Sequence, residues 1–255
     1  MMADSFLIDN IANYNSLRDK NPILKVVFAV SSLIVSVISS SFLVPLLIAL
    51  IMSMILIFFA KVPKKIYINL LLVPIFFGIF SFFLMIFLFG DVVWASFEVF
   101  GFKINILKDG FELGLLTFSK MVGGVCCTLF LALTTPFTEI FYILKKLKVP
   151  ESFLEISMLT YRYIFVLLGD TIIMSHSQKT RLGYMGLKNC YRSLGLLMGS
   201  LLIKSLDKGD FIYTTLSSRG YSGNLMFFGE IPYPKTSYFV YLFGFEIFLV
   251  SLNYI

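Results

Sequence analysis

The chain has 255 residues, of which 58% are hydrophobic, 17% aromatic and only 14% charged, against roughly a quarter charged in ordinary soluble domains. That balance excludes a water-soluble fold, because the 29 phenylalanines would leave sticky patches on any aqueous surface, and it makes the lipid bilayer part of the solvent. The net charge of +6 is no nucleic-acid footprint, since lysine and arginine stand in short clusters beside apolar runs, where they act as topology signals.

The opening stretch carries Asp4, Asp9, Arg18, Asp19 and Lys20, with no basic n-region and no small-residue cleavage site beside a short apolar core, so it is expected to be retained. Residues 26–60 then contain no charge. That is too long for one comfortable span and long enough for two short ones, with the break expected between Ser39 and Pro45, where serines and proline punctuate helices. A second uncharged run, Ile66 to Gly90, holds Pro74 and Gly78, both tolerated in membrane helices. Phe111 to Thr135 is apolar apart from Glu112 and Lys120, and Thr236 to Tyr254 apart from Glu246. These runs predict an all-α fold, a polytopic membrane helical bundle of about five spans.

Lysines at 61, 64, 65, 145, 146 and 148 mark their loops as cytoplasmic. Loop 91–110 balances Asp91, Glu98 and Asp109 against Lys103 and Lys108 and is expected outside. The N-terminus and residues 136–235 then face the cytoplasm. Phe153 to Met174 has the length to cross, but Glu155, Arg162 and Asp170 would cost several kcal/mol at mid-membrane. It is expected to lie as a helix against the cytoplasmic side. Leu194, Leu197, Met198, Leu201 and Leu202 repeat at helical spacing opposite Arg192, Ser200, Lys204 and Asp207, the pattern of a second interfacial helix. Gly220, Gly223, Gly229, Pro232 and Pro234 end this region in a loop. The expected organisation is a membrane bundle over 1–135, cytoplasmic or interfacial helices over 136–235 and a final span over 236–255.

No phosphate-binding G-x-x-x-x-G-K-[ST] loop occurs, so the chain has no sequence basis for holding a nucleotide. One histidine, His176, and three cysteines, Cys126, Cys127 and Cys190, give no metal-ligand spacing, and no nucleophile, base and orienting group converge as catalytic residues. No cofactor is expected. Lys120 and Glu246 are ionisable groups inside spans, candidates for an intramembrane ion pair or snorkelling or, alternatively, for a substrate pathway. Glu155, Arg162 and Asp170 form a charged line along one helix, too widely spaced to pair with each other. Two arginines stand among small or polar residues, in Thr180-Arg181-Leu182-Gly183 and Ser218-Arg219-Gly220-Tyr221. A guanidinium so placed can enter a partner's groove and engage carboxylates or carbonyls bidentately, or it can simply set topology.

Asp9, Ala12, Asn15, Pro22 and Lys25 before the first span, Thr134-Thr135, Val149-Pro150 and Thr160-Tyr161-Arg162-Tyr163 in the centre, and the paired arginine motifs resemble the transmembrane T component of energy-coupling factor (ECF) transporters, in its cobalt-type CbiQ branch. The resemblance implies a scaffold that couples two cytoplasmic ATPase subunits to a separate membrane subunit binding cobalt, or in some cases nickel. Arg181 and Arg219 would dock the ATPases, with Thr180, Ser218 and Gly220 beside them. The family's motifs read Ala-Arg-Gly or Ala-Arg-Ser, so Thr180, Ser218 and above all Leu182 depart from it. The rival readings are a T component shared among vitamin-binding subunits, from another class an intramembrane enzyme, and a self-contained secondary carrier, whose inverted repeats the sequence does not show.

Overall fold

The computed structural model describes residues 9, 11–18, 20–90, 93–99, 102–221 and 236–251. The loop expected at 222–235 lies outside them. The chain divides into two compact units, Met1–Ile140 with Glu230–Ile255, and Phe141–Gly229.

In the first unit, α1 (Pro22–Ile38) starts at Asn21, whose side-chain oxygen accepts the Ile23 N–H at 3.0 Å. Pro22 occupies the first turn, where a missing N–H costs nothing. The buried residues of α1 are Pro22, Lys25, Ala29, Ser32 and Ser36, a stripe at alternating three- and four-residue spacing whose small side chains let a neighbour approach closely. The helix ends at Ile38 and α2 (Leu43–Met54) begins after residues 39–42, the break that serine and proline punctuation predicts. The last residues of α2 continue as a π-helical turn, Ile55–Phe59, where the Ala60 N–H reaches the Ile55 carbonyl at 3.0 Å. Next comes α3 (Lys64–Leu88).

Between α3 and the next helix, the segment read as a plain loop forms an antiparallel hairpin, β1 (Val93–Val99) with β2 (Phe102–Leu107), Val99 opposite Phe102. Helix α4 (Lys108–Thr134) follows and packs on α1, α2 and α3. Glycines make the α3 contact possible: a methyl group added at Gly110 would run into the Phe89 and Met85 carbonyls. Val44, Ile48, Met52, Leu56, Cys127 and Leu133 form the centre of the core, and Phe28 stands edge-on to Phe130 at 5.8 Å. On the outside of α3, Phe76, Phe77, Phe80 and Phe83 are exposed, as a lipid-facing helix requires.

Helix α5 (Phe137–Lys146) leads out of this unit. The second unit is dominated by α6 (Glu151–Thr180) and α7 (Leu187–Ser218). Contacts at successive heights make them an antiparallel pair: Asp170 with Lys208, Met174 with Ser200, Gln178 with Ser193. The apolar stripe at 194–202 is thus part of one long helix, not a separate short one. The last helix, α8 (Thr236–Ser251), belongs to the first unit and packs on α1.

Helices α3, α4 and α6 are long and apolar enough to cross a membrane, and Pro22–Ile38, Leu43–Phe59 and Tyr238–Ile247 are shorter apolar helices. The fold is a helical membrane bundle with one β-hairpin.

Candidate functional site

Arg181 and Arg219 occupy the same structural position at the ends of two helices. Arg181 is the C-cap of α6 with φ −92° and ψ 15°, and Arg219 the C-cap of α7 with φ −96° and ψ 12°. The residue after each is left-handed, Leu182 at φ +57° and Gly220 at +77°. The backbone then closes identically: the Gly183 N–H bonds to Gln178 O and the Leu182 N–H to Lys179 O, while the Tyr221 N–H bonds to Leu216 O and the Gly220 N–H to Ser217 O. This is the paired-bond cap that normally wants glycine at the left-handed position. Leucine there costs about 1–2 kcal/mol, yet it leaves the arginine presented as it is at the second site.

Thr180 and Ser218, which precede the arginines, turn their hydroxyls back to the Ser177 and Thr214 carbonyls at 2.9 and 2.8 Å. Both guanidinium groups are exposed, and neither has a hydrogen-bond or ion-pair partner among the described residues. Because α6 and α7 run antiparallel, the two arginines stand at opposite ends of the pair, separated by the length of α7, roughly 48 Å at 1.5 Å per residue.

Each end is tied down by polar contacts. At the first, Gln178 Nε2 donates to Ser193 O (3.0 Å), Ser193 Oγ to Gly183 O (2.7 Å) and the Tyr184 hydroxyl to Gln178 Oε1 (2.7 Å). A Cβ at Gly183 would lie 2.7 Å from Ser193 Oγ and 2.9 Å from the Gln178 carbonyl. Gly183→Ala is therefore expected to push the turn off α7 at about 1–3 kcal/mol, visible as faster amide exchange over residues 178–193 while the rest of the chain is unchanged.

At the second end the Tyr221 hydroxyl donates to Glu155 Oε2 at 2.8 Å. That bond, ahead of desolvation and the nearby charge, raises the pKa of the phenol above its ordinary value. A raised phenol pKa keeps this tie intact below about pH 10 and releases it only as pH climbs through the raised value. Between the two ends, Asp170 meets Lys208 at 2.6 Å and Lys204 at 3.8 Å. Arg162 is exposed. Of the charged line on α6, Asp170 is thus met from α7 and Glu155 from Tyr221 just beyond it.

In the first unit the residues that precede the first span meet those of the centre. Asn15 Nδ2 donates to Leu133 O (3.0 Å) and Ala12 O (2.8 Å), and Lys25 Nζ to Thr134 O (3.1 Å) and Glu139 Oε2 (3.4 Å). Lys25 is only 6% exposed. These two side chains satisfy carbonyls in the last turn of α4 that have no partner within the helix.

The intramembrane pair expected between Lys120 and Glu246 is not formed. Glu246, 5% exposed, accepts hydrogen bonds from Ser31 (3.0 Å) and Ser32 (2.6 Å) through Oε1. Lys120 is half-buried on α4 and makes no ion pair among the described residues. Serine hydroxyls on α1, the helix that α8 packs against, supply donors where Lys120 was expected. His176 is exposed, and no group of three or more histidine, cysteine or acidic residues gathers among the described residues.

Residues 13–227 match the profile of CbiQ, described as cobalt transport protein. The chain belongs to the CbiQ family. An uncharacterized protein of Methanocaldococcus jannaschii is 47% identical over 249 residues, covering 98% of this chain and 93% of that protein. A Methanocorpusculum labreanum protein named as a fused cobalt transport protein, CbiMQ, is 35% identical over 86% of this chain and 37% of its own length. The Salmonella typhimurium cobalt transport protein CbiQ is 32% identical over 51% of this chain and 58% of its own length. In this CbiQ-family chain the sequence singled out both arginines but missed Gln178, Ser193 and the Tyr221 to Glu155 contact. Only the pairing of α6 with α7 brings those residues together, and no spacing along the chain announces it.

Proposed function

We propose that the chain is the transmembrane coupling subunit of an ECF-type importer for cobalt, with nickel as the alternative cargo. Two cytoplasmic ATPase subunits dock on Arg181 and Arg219, and a separate membrane subunit binds the metal. The observation that carries this reading is the matched presentation of two exposed, unpartnered guanidinium groups at opposite ends of one helical hairpin. Such groups suit bidentate capture by a partner's carboxylates or carbonyls, and the spacing suits two copies of a partner side by side.

Residues 136–235 lie on the cytoplasmic side in this reading, as does the N-terminus, following the lysines of loops 61–65 and 145–148. Although α6 has the length and composition of a span, its Asp170 and Glu155 are satisfied from α7 and the segment after it. Helix α7 itself carries Arg192, Lys204, Asp207, Lys208 and Asp210, too many charges to cross a bilayer. The hairpin therefore lies outside the hydrocarbon. The fused relative extends well beyond the part this chain covers, which supports assigning metal binding to a further component.

Co-purification from native membranes tests the docking. The tagged chain is expected to bring down ATPase subunits and a second membrane subunit, and Arg181→Ala or Arg219→Ala to lower the ATPase yield. A chain that purifies alone, or that keeps its ATPases when both arginines are gone, would defeat the reading. Radiolabelled cobalt and nickel uptake with the co-purified subunits then identifies the cargo.

A further inference from the structure

The two arginine-bearing tips share a backbone but differ in everything around it. At the first, Leu182 and Met185 are each 64% exposed and Leu187 is 82% exposed, with Gly186 at φ +80° turning the chain between them. No acidic residue occurs from 171 to 206. Lys179, Arg181, Lys188 and Arg192 are all exposed without an ion-pair partner among the described residues. At the second tip the arginine is flanked by the small residues Ser218 and Gly220, acidic residues occur on the same helix at Asp207 and Asp210, and Glu155 meets the neighbouring Tyr221 hydroxyl.

Leu182 is the residue that most needs a reason. It holds a left-handed conformation in which glycine would be unstrained, and at 64% exposure its own chain gives little packing in return. We propose that the first tip, residues 181–187, is the tighter of the two docking points and takes a groove on an ATPase subunit with an apolar floor and an acidic rim, Leu182 entering it beside Arg181. This rests on the coupling reading above.

Continuity with Arg181 sets the location, and charge complementarity sets the rim: four unpaired cations call for carboxylates around them. The three apolar side chains call for a floor that removes them from water. An anionic membrane surface would also attract cations and leucines, but it needs no fixed guanidinium. Gln178, Ser193 and Tyr184 lock this turn to α7, the kind of preorganisation a shaped socket rewards.

The test uses the purified complex of the chain with its ATPase subunits, measuring ATPase release by mass spectrometry after washes of rising salt. Leu182→Gly and Leu182→Asn both suit a left-handed position, so a lost fold does not confuse the result. Each is expected to weaken retention about tenfold at every salt concentration, the scale of one buried leucine. Lys179→Gln with Lys188→Gln is expected to flatten the salt dependence, and Arg181→Ala to cost more than Arg219→Ala. Wild-type retention in both Leu182 variants would overturn the proposal. So would a polarity-sensitive dye at Leu187→Cys that reports burial on anionic vesicles without ATPases, since the tip would then be membrane-seeking. If Arg181→Ala releases ATPases and the Leu182 variants do not, the coupling reading stands and this proposal alone falls. If the double arginine variant keeps its ATPases, the coupling reading itself falls.

Discussion

Lys25→Met is expected to destabilise the membrane unit by about 3 kcal/mol, the low end of what removing one partner from a buried ion pair costs. The lysine is almost fully buried, and its ammonium serves two acceptors at once, the Thr134 carbonyl at 3.1 Å and Glu139 Oε2 at 3.4 Å. Methionine keeps the volume of the side chain but strands a partly buried carboxylate and weakens the closure of α4. Thermal unfolding in detergent would show the midpoint fall by several degrees. Combining Lys25→Met with Glu139→Gln is expected to recover part of the loss, because the stranded charge is then gone. An unchanged midpoint in Lys25→Met would mean that other contacts hold this junction.

The second large effect concerns transport. Truncating one member of a docked, hydrogen-bonded charge pair costs about 2–5 kcal/mol, enough to weaken one contact by roughly thirtyfold or more. If the ATPases dock on both tips as proposed, the surviving contact still holds them at high effective concentration. Arg181→Ala and Arg219→Ala alone are thus expected to slow cobalt uptake in whole cells to a fraction of wild type, and the double variant to abolish it while the chain still reaches the membrane in normal amount. Uptake that falls by the simple product of two modest effects would argue against a bivalent attachment.

The membrane part of the fold was legible because hydrocarbon imposes its own grammar. Apolar runs with little or no charge became α1 to α4 and α8, and the serine and proline cluster marked the break between α1 and α2. The hairpin at 93–107 escaped notice although its signal was present: Ser96 lies opposite Asn105 and Glu98 opposite Lys103, and Gly101 stands between two runs rich in β-branched and aromatic residues. A loop between spans is read for charge, and that habit hides strands. Glu246 shows a different limit. Its partner was sought among charges, whereas two hydroxyls on a neighbouring helix meet one of its carboxylate oxygens and leave Oε2 buried without a hydrogen bond among the described residues.

The candidate site divides the same way. The arginines stand out in the sequence, and so does the departure at Leu182, which on residue identity alone makes the first contact look impaired. Capping geometry adds that the bonds to Gln178 and Lys179 hold leucine where glycine usually sits, so Arg181 has the same backbone setting as Arg219. The ties from Ser193 and Glu155 depend on which residues of α6 and α7 come level with one another. That is a tertiary fact with no local signature.

The hairpin also acts as a ruler with a phase. Each residue inserted into α7 between its ends would push Arg219 outward by about 1.5 Å and swing it by about 100° around the axis, so a single insertion turns the guanidinium away from any socket it had faced. Seven residues would nearly restore the direction but lengthen the reach by about 10.5 Å. Drift in side chains on the exposed faces of α6 and α7, away from the contacts between them, is cheap by comparison. If partners dock at both ends as proposed, the distance and angle between those ends are the properties under selection, and gaps are expected to be far rarer there than substitutions.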